Sequence, residues 1–79
     1  MKYVYILKSL LEKDHFYVGI TDDLDVRLKA HNSGKVSHTM KYRPWEIKTY
    51  VGFADEAQAF QFEKYLKTAS GRAFSKKRL

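Results

Sequence analysis

Residues 16–31 are FYVGITDDLDVRLKAH, in which a strand-forming triplet and a glycine precede a helical pattern. Phe16–Val18 favours a short strand, because aromatic and β-branched side chains suit a pleated surface. Gly19 is expected to end that strand, since glycine tolerates turn conformations and close backbone approaches. Thr21 or Asp22 then supplies the side-chain cap of a helix. The segment therefore predicts a strand and a helix joined by a tight turn.

Three polar side chains of this segment are expected at one corner of the molecule. Arg27 and His31 are four residues apart, so they share one face of the predicted helix. Tyr17 lies in the strand that leads into the turn. The apolar side chains expected to bury the helix are Leu24, Val26 and Leu28.

The remaining pattern predicts strands at Tyr3–Leu7 and Trp45–Phe53, a helix from Asp55 to about Lys67, and a last helix at Gly71–Leu79 that Ser70 caps. The first strand is apolar throughout, which indicates a central position in the sheet. The third alternates, which indicates a half-buried edge strand with one apolar face made of Trp45, Ile47, Thr49, Val51 and Phe53. We expect a single domain over 1–79 of α+β class, a three-stranded antiparallel sheet flanked by helices in the order β-β-α-β-α-α.

Composition narrows the function classes. The 79 residues contain no cysteine, which excludes disulfides and cysteine-based zinc sites and favours the reducing cytoplasm. No apolar run approaches the ~20 residues of a membrane span, so no membrane partner is expected. The net charge of +6 indicates either an anionic partner such as nucleic acid or a charged surface that favours solubility. The cations that could contact phosphates are Lys35, Lys41 and Arg43 in a long loop, and Arg72, Lys76, Lys77 and Arg78 near the end of the chain.

A phenol, a guanidinium, an imidazole and a carboxylate on a basic surface suit phosphodiester cleavage. A phenol or imidazole can relay a proton from water, and an arginine can bind two phosphate oxygens. A carboxylate with several waters can hold Mg²⁺. The chain has no glycine-rich phosphate-binding loop and no Gly-x-Ser-x-Gly nucleophile elbow.

The ordered pattern resembles the GIY-YIG nuclease superfamily, and in particular its small single-domain bacterial branch. The resemblance rests on Tyr3-Val4-Tyr5 and Tyr17-Val18-Gly19, then Arg27, His31 and the helical Glu63. It implies an endonuclease that hydrolyses DNA in repair or recombination, with Mg²⁺ or Mn²⁺ at a single site. Specificity would come from a protein partner or a homodimer, and DNA would be held through sequence-independent phosphate contacts.

The same resemblance implies a role for each matched residue. Tyr17 would orient the attacking water, with Tyr5 lining the site, and Arg27 would stabilise the scissile phosphate. His31 would be the proton-transfer partner and Glu63 the metal ligand. Gly19 would let the backbone pass close to the nucleic acid.

Each of these residues also has a plain structural role in the sequence. The tyrosines suit a small core, Arg27 could pair with Asp23, and His31 could meet the helix dipole. Glu63 could be a surface glutamate that pairs with Lys67 or with Lys64. Ile20 stands where excision-repair members carry lysine, and no asparagine follows Asn32. The alternative is therefore a nucleic-acid-binding module that has the nuclease fold but weak or no catalysis.

Overall fold

The first strand, β1 (Lys2–Ser9), is the centre of the sheet in the computed structural model, which describes residues 1–79. It pairs antiparallel with β2 (Phe16–Thr21) on one side and β3 (Trp45–Phe53) on the other. The four residues Val4 to Leu7 are all buried, since both faces of β1 are covered. The central position of the first strand and the edge position of the third are confirmed.

Three helices cover the sheet: α1 (Leu24–Asn32), α2 (Glu56–Leu66) and α3 (Ala69–Arg78). The loop after α1 contains one short 3₁₀ turn, Met40–Tyr42. The α+β class and the order β-β-α-β-α-α are confirmed. None of the helices is long and apolar enough to cross a membrane.

Successive side chains of β1 point to opposite faces of the sheet and belong to two separate hydrophobic clusters. Val4 and Ile6 point to one face, where they pack with Ala59 and Leu66 of α2. On the other face Tyr5, Leu7 and Trp45 are buried, and α1 covers them with Leu24 and Leu28. The sheet therefore separates α1 from the α2–α3 pair. Val26, expected in the buried stripe, is instead 64% exposed.

A β-bulge at Lys48 changes the face of β3, and the expectation of one apolar face along that strand is wrong. Ile6 pairs with Thr49, but Leu7 pairs with Ile47, so Lys48 is an extra residue. Because side chains alternate with a period of two, one inserted residue moves all that precede it to the opposite face. Phe53 consequently packs on the α2 side, whereas Trp45 and Ile47 pack on the α1 side.

The turn after β2 lies later than expected. The strand continues through Gly19 to Thr21, and Gly19 does not have positive φ. The helix cap is neither Thr21 nor Asp22 but Asp23, whose carboxylate accepts from the Val26 N–H. Gly34, two residues after the end of α1, does have positive φ, at 83°.

The start of the last helix also differs from the sequence-based expectation. Thr68, not Ser70, caps α3, because its Oγ1 accepts from the Gly71 N–H. Gly71 is buried inside the helix, not at its start. A Cβ at position 71 would overlap the backbone carbonyl of Tyr65, so only glycine lets α3 approach the end of α2 this closely.

Candidate active site

A chain of buried hydrogen bonds joins Tyr5, His31 and Thr39 on the α1 side of the sheet. The Tyr5 hydroxyl lies 2.9 Å from His31 Nε2, and His31 Nδ1 lies 2.7 Å from Thr39 Oγ1. His31 and Thr39 are both 0% exposed and Tyr5 is 2% exposed. Thr39 also donates to the Val36 carbonyl oxygen at 3.3 Å. The ring of His31 is therefore fixed at both nitrogens.

The groups at the two ends of this series of hydrogen bonds determine which atom donates in each bond. Arg27 can only donate, and its Nε–H donates to the Tyr5 oxygen at 3.3 Å. The Val36 carbonyl can only accept. The Tyr5 hydroxyl therefore donates to His31 Nε2, and His31 Nδ1–H donates to Thr39, which specifies the neutral Nδ1–H tautomer.

The protonation states agree with this direction. Burial lowers the pKa of His31 to about 4, and the nearby charge of Arg27 adds to the effect. Burial also raises the pKa of the Tyr5 phenol, against the opposing hydrogen bond from Arg27. Both groups are thus neutral near pH 7, so His31 does not act as a charged group at the helix dipole.

Arg27 lies at the margin of this network with part of its side chain accessible. Its Nε–H is used by Tyr5, and it makes no ion pair with Asp23 or any other carboxylate. The hydrogen bond to Tyr5 is the main cause that raises the pKa of Arg27, with a smaller contribution from Tyr17. The guanidinium has no carboxylate partner, so its charge remains available to an anion.

Tyr17 and Gly19 form the β2 side of the site. The Tyr17 ring packs against His31 with 5.1 Å between ring centroids, and its hydroxyl lies close enough to Arg27 to contribute to the raised pKa of that guanidinium. A Cβ at position 19 would overlap the hydroxyl and ring of Tyr5. The close approach at Gly19 is therefore made by Tyr5 within the protein.

The end of α1 is anchored to the start of β3, which sets the height of His31 over the sheet. Asn32 Nδ2 donates to the Trp45 carbonyl at 3.0 Å, and the Trp45 N–H donates to Asn32 Oδ1 at 2.6 Å. The Trp45 indole N–H donates to the Thr39 carbonyl at 2.8 Å. One helix end and one loop are thereby held together around His31.

Glu63 is not part of the hydrogen-bonded network. It lies on α2, across the sheet from α1, and its carboxylate pairs with Lys67 at 2.8 Å. Its side chain is only 18% exposed. Its charge contributes to the raised pKa of Tyr5, as the smallest of the causes. Of the two pairings open to Glu63, with Lys67 or with Lys64, the one with Lys67 forms.

The candidate phosphate-binding cations fall into two groups on opposite faces. Lys35, Lys41 and Arg43 lie in the loop on the α1 side, where Arg43 packs over Gly34 and Lys41 over the Tyr42 ring. Arg72, Lys76, Lys77 and Arg78 lie on α3. All of these cations are exposed and none makes an ion pair.

Thr39 and Val36 are the members of the network that residue patterns did not single out. They lie in an irregular loop, and their contacts with His31 depend on how that loop folds back over α1. A buried polar partner for His31 could be anticipated only after His31 itself was known to be buried, because a buried imidazole requires hydrogen bonds.

Comparison with known proteins gives a family match over nearly the whole chain. The model described as the GIY-YIG catalytic domain matches residues 1–78.

Similar proteins occur in bacteria and yeasts. The chain is 40% identical over 67 residues to a UPF0213 protein of Bacillus pumilus strain SAFR-032, covering 84% of this chain and 66% of the relative. It is 35% identical over 66 residues to the UPF0213 protein YazA of Bacillus subtilis strain 168, covering 82% of this chain and 65% of the relative. It is 39% identical over 67 residues to the structure-specific endonuclease subunit SLX1 of Vanderwaltozyma polyspora, covering 75% of this chain and 21% of the relative. The chain thus spans just under two thirds of the bacterial relatives and about a fifth of the yeast protein.

Proposed function

This chain belongs to the GIY-YIG family, and on that premise we propose that it is an endonuclease that hydrolyses DNA phosphodiester bonds with the help of a divalent metal ion. The observation that carries the proposal is the hydrogen bond between Arg27 and Tyr5 next to the hydroxyl of Tyr17. A guanidinium and a phenol are held together at a surface that carries many unpaired cations.

The accessible residues contact the substrate, and the buried residues position them. The free nitrogens of Arg27 bind the scissile phosphate and stabilise its growing negative charge. The Tyr17 hydroxyl orients the attacking water. Tyr5 and the buried His31 position Arg27, because their hydrogen bonds are all made within the protein.

Glu63 is the residue that would hold Mg²⁺ or Mn²⁺. The chain has no cluster of three acidic or histidine groups, so a fully protein-bound ion is not expected. Mg²⁺ accepts one carboxylate together with waters and substrate phosphate oxygens, and a single glutamate fits that donor set. The ion would have to displace Lys67 from Glu63, which lies across the sheet from Arg27, and it would supply Lewis-acid stabilisation of a phosphate on that side.

We further propose a structure-selective role in DNA repair or recombination, with a protein partner or a homodimer supplying specificity. Support comes from the relative of Vanderwaltozyma polyspora, which is named a structure-specific endonuclease subunit. The cations of this chain would add sequence-independent phosphate contacts.

Cleavage of linear, nicked, flapped and branched DNA with Mg²⁺, Mn²⁺ or chelator tests the proposal. We expect Arg27→Ala and Glu63→Gln to lose on the order of a hundredfold or more in rate, and Tyr17→Phe to lose activity as well. Lys29→Ala on the exposed side of α1 and Tyr65→Phe on α2 are the matched controls, and circular dichroism verifies folding. Wild-type cutting by all three site variants would show that the assigned site is wrong.

The pairing of Glu63 with Lys67 favours a second candidate, a binding module with little or no catalysis. This candidate predicts DNA binding that survives chelation, without cleavage under any metal. The same substrates, followed by a gel shift in chelator and by cleavage in metal, distinguish the two candidates.

A further inference from the structure

We propose that the face of the sheet opposite Arg27 carries a groove that binds one unpaired nucleotide of a single-stranded segment. The groove lies between the sheet and the α2–α3 pair and has a volume of about 830 Å³. That volume lies within the range of about 300–1,000 Å³ that is typical of small-ligand pockets. The proposal rests on the proposed function only in taking nucleic acid as the ligand.

The floor of the groove is apolar and includes an aromatic ring. Ile6, Val18 and Leu66 line it, together with Phe16, which is 47% exposed. A duplex presents sugars and phosphates outward and would gain little from such a floor. An unpaired base has a free face, and aromatic side chains in single-strand-binding proteins stack on such faces.

The rim of the groove is cationic. Lys48, Lys67, Arg72 and Lys76 line it, and Asp14 is its one carboxylate. The Lys48 ammonium stands over the Phe16 ring, 5.0 Å from its centroid. Phosphates on either side of a base stacked on Phe16 would therefore meet unpaired cations from β3 and from α3, whereas Lys67 at the end of α2 is paired with Glu63.

The bulge in β3 contributes directly to this surface. It places Lys48 beside Ile6 on the α2 side, while the residues before it in β3 turn to the α1 side. In a regular strand, Lys48 would lie on the face opposite to Thr49. The extra residue thus supplies one of the four cations.

The groove and the candidate active site meet at one edge of the sheet. Tyr17 lines the groove and also packs on His31. It belongs to β2, which is an edge strand, so only that strand separates the two surfaces. A single strand bound at Arg27 can pass around this edge and place a neighbouring nucleotide in the groove.

Fluorescence anisotropy in chelator tests the proposal without cleavage. The probes are a short labelled oligothymidylate and a duplex of the same length. We expect Phe16→Leu to weaken binding of the single strand about tenfold and to leave duplex binding within about twofold. Phe60→Leu is a matched control, because Phe60 is also 47% exposed and also has a lysine, Lys2, over its ring, 5.8 Å from the centroid.

A pair of charge variants on one helix separates the groove from general electrostatics. Arg72→Gln with Lys76→Gln removes two cations that line the groove, and Lys77→Gln with Arg78→Gln removes two that do not. We expect the first double variant to lose at least tenfold more affinity for the single strand than the second. Equal losses in both variants, equal losses by Phe16→Leu and Phe60→Leu, or no binding of the single strand by the wild-type protein would overturn the proposal.

A different experimental result would reject the proposed nuclease activity. Absence of cleavage in metal, with binding of the single strand still sensitive to Phe16→Leu, would reject the nuclease and retain the groove. Loss of the groove effect with metal-dependent cutting intact would do the opposite.

Discussion

His31 connects a loop, a helix and the central strand through an uncharged ring. Its Nε2 accepts from Tyr5 and its Nδ1–H donates to Thr39, so protonation would remove the acceptor on which the Tyr5 hydroxyl depends. The spacing of Arg27 and His31 on α1 follows from helix periodicity and was predictable. The burial of His31 was not, because the loop that encloses it has no regular pattern.

The lowered pKa of His31 makes stability depend on pH. The ring takes up a proton below about pH 6.5 in the unfolded chain but only near pH 4 in the folded protein. The unfolded state therefore binds more protons between these values, and stability falls as the pH decreases through that window. We expect a loss of about 2 kcal/mol between pH 7 and pH 5, measured by urea unfolding.

Two variants isolate the contribution of this ring. We expect His31→Gln to remove that part of the pH dependence and to lower stability at pH 7, because the hydrogen bonds of the ring are lost. His38→Gln, at an exposed histidine, should keep the full slope. A wild-type slope in His31→Gln would assign the pH dependence to other groups.

Among the elements, α3 depends most visibly on a single position. Gly71 lies within the helix, where glycine is less favourable than alanine by about 1 kcal/mol. It is nevertheless required, because a Cβ there would overlap the backbone carbonyl of Tyr65 and not a movable side chain. From the sequence alone, glycine at this position indicates a helix start, and the close packing that explains it is visible only once α2 and α3 are placed together.

Gly71→Ala therefore sets helix propensity against packing. Propensity alone predicts stabilisation, whereas the overlap predicts a loss of about 2 kcal/mol or more in the free energy of unfolding. Chemical denaturation shows whether the substitution raises or lowers the free energy of unfolding. Ser70→Ala, at the exposed neighbouring position, should change stability by less than about 0.5 kcal/mol. A stabilised Gly71→Ala protein would mean that α3 can move away from α2 without cost.

For the whole molecule, the excess of positive charge is the dominant electrostatic feature. The net charge is +6, and the side chains make only two ion pairs, Lys2 with Asp22 and Lys67 with Glu63. The sign of the charge and the element order were predictable from composition and residue patterns. The division of the cations between two faces was not, because it depends on which side of the sheet each helix packs.

This charge predicts binding of single-stranded DNA that weakens steeply with salt. For four phosphate contacts, counterion release gives about a fiftyfold loss of affinity between about 50 and 200 mM salt. Anisotropy titrations of the wild-type protein across that range provide the slope. Thermal unfolding across the same range should change little, which separates weakened binding from a loss of folding. An affinity independent of salt would contradict phosphate binding by these cations.

The two-faced packing of β1 has a consequence for how the molecule comes apart. Successive residues of one strand, Val4 to Leu7, are shared alternately between the two hydrophobic clusters, and β3 changes face at Lys48. Neither cluster can be dismantled without exposing the strand that supports the other. Unfolding is therefore cooperative across the sheet. The groove on one face and the candidate active site on the other are lost together in a single thermal transition.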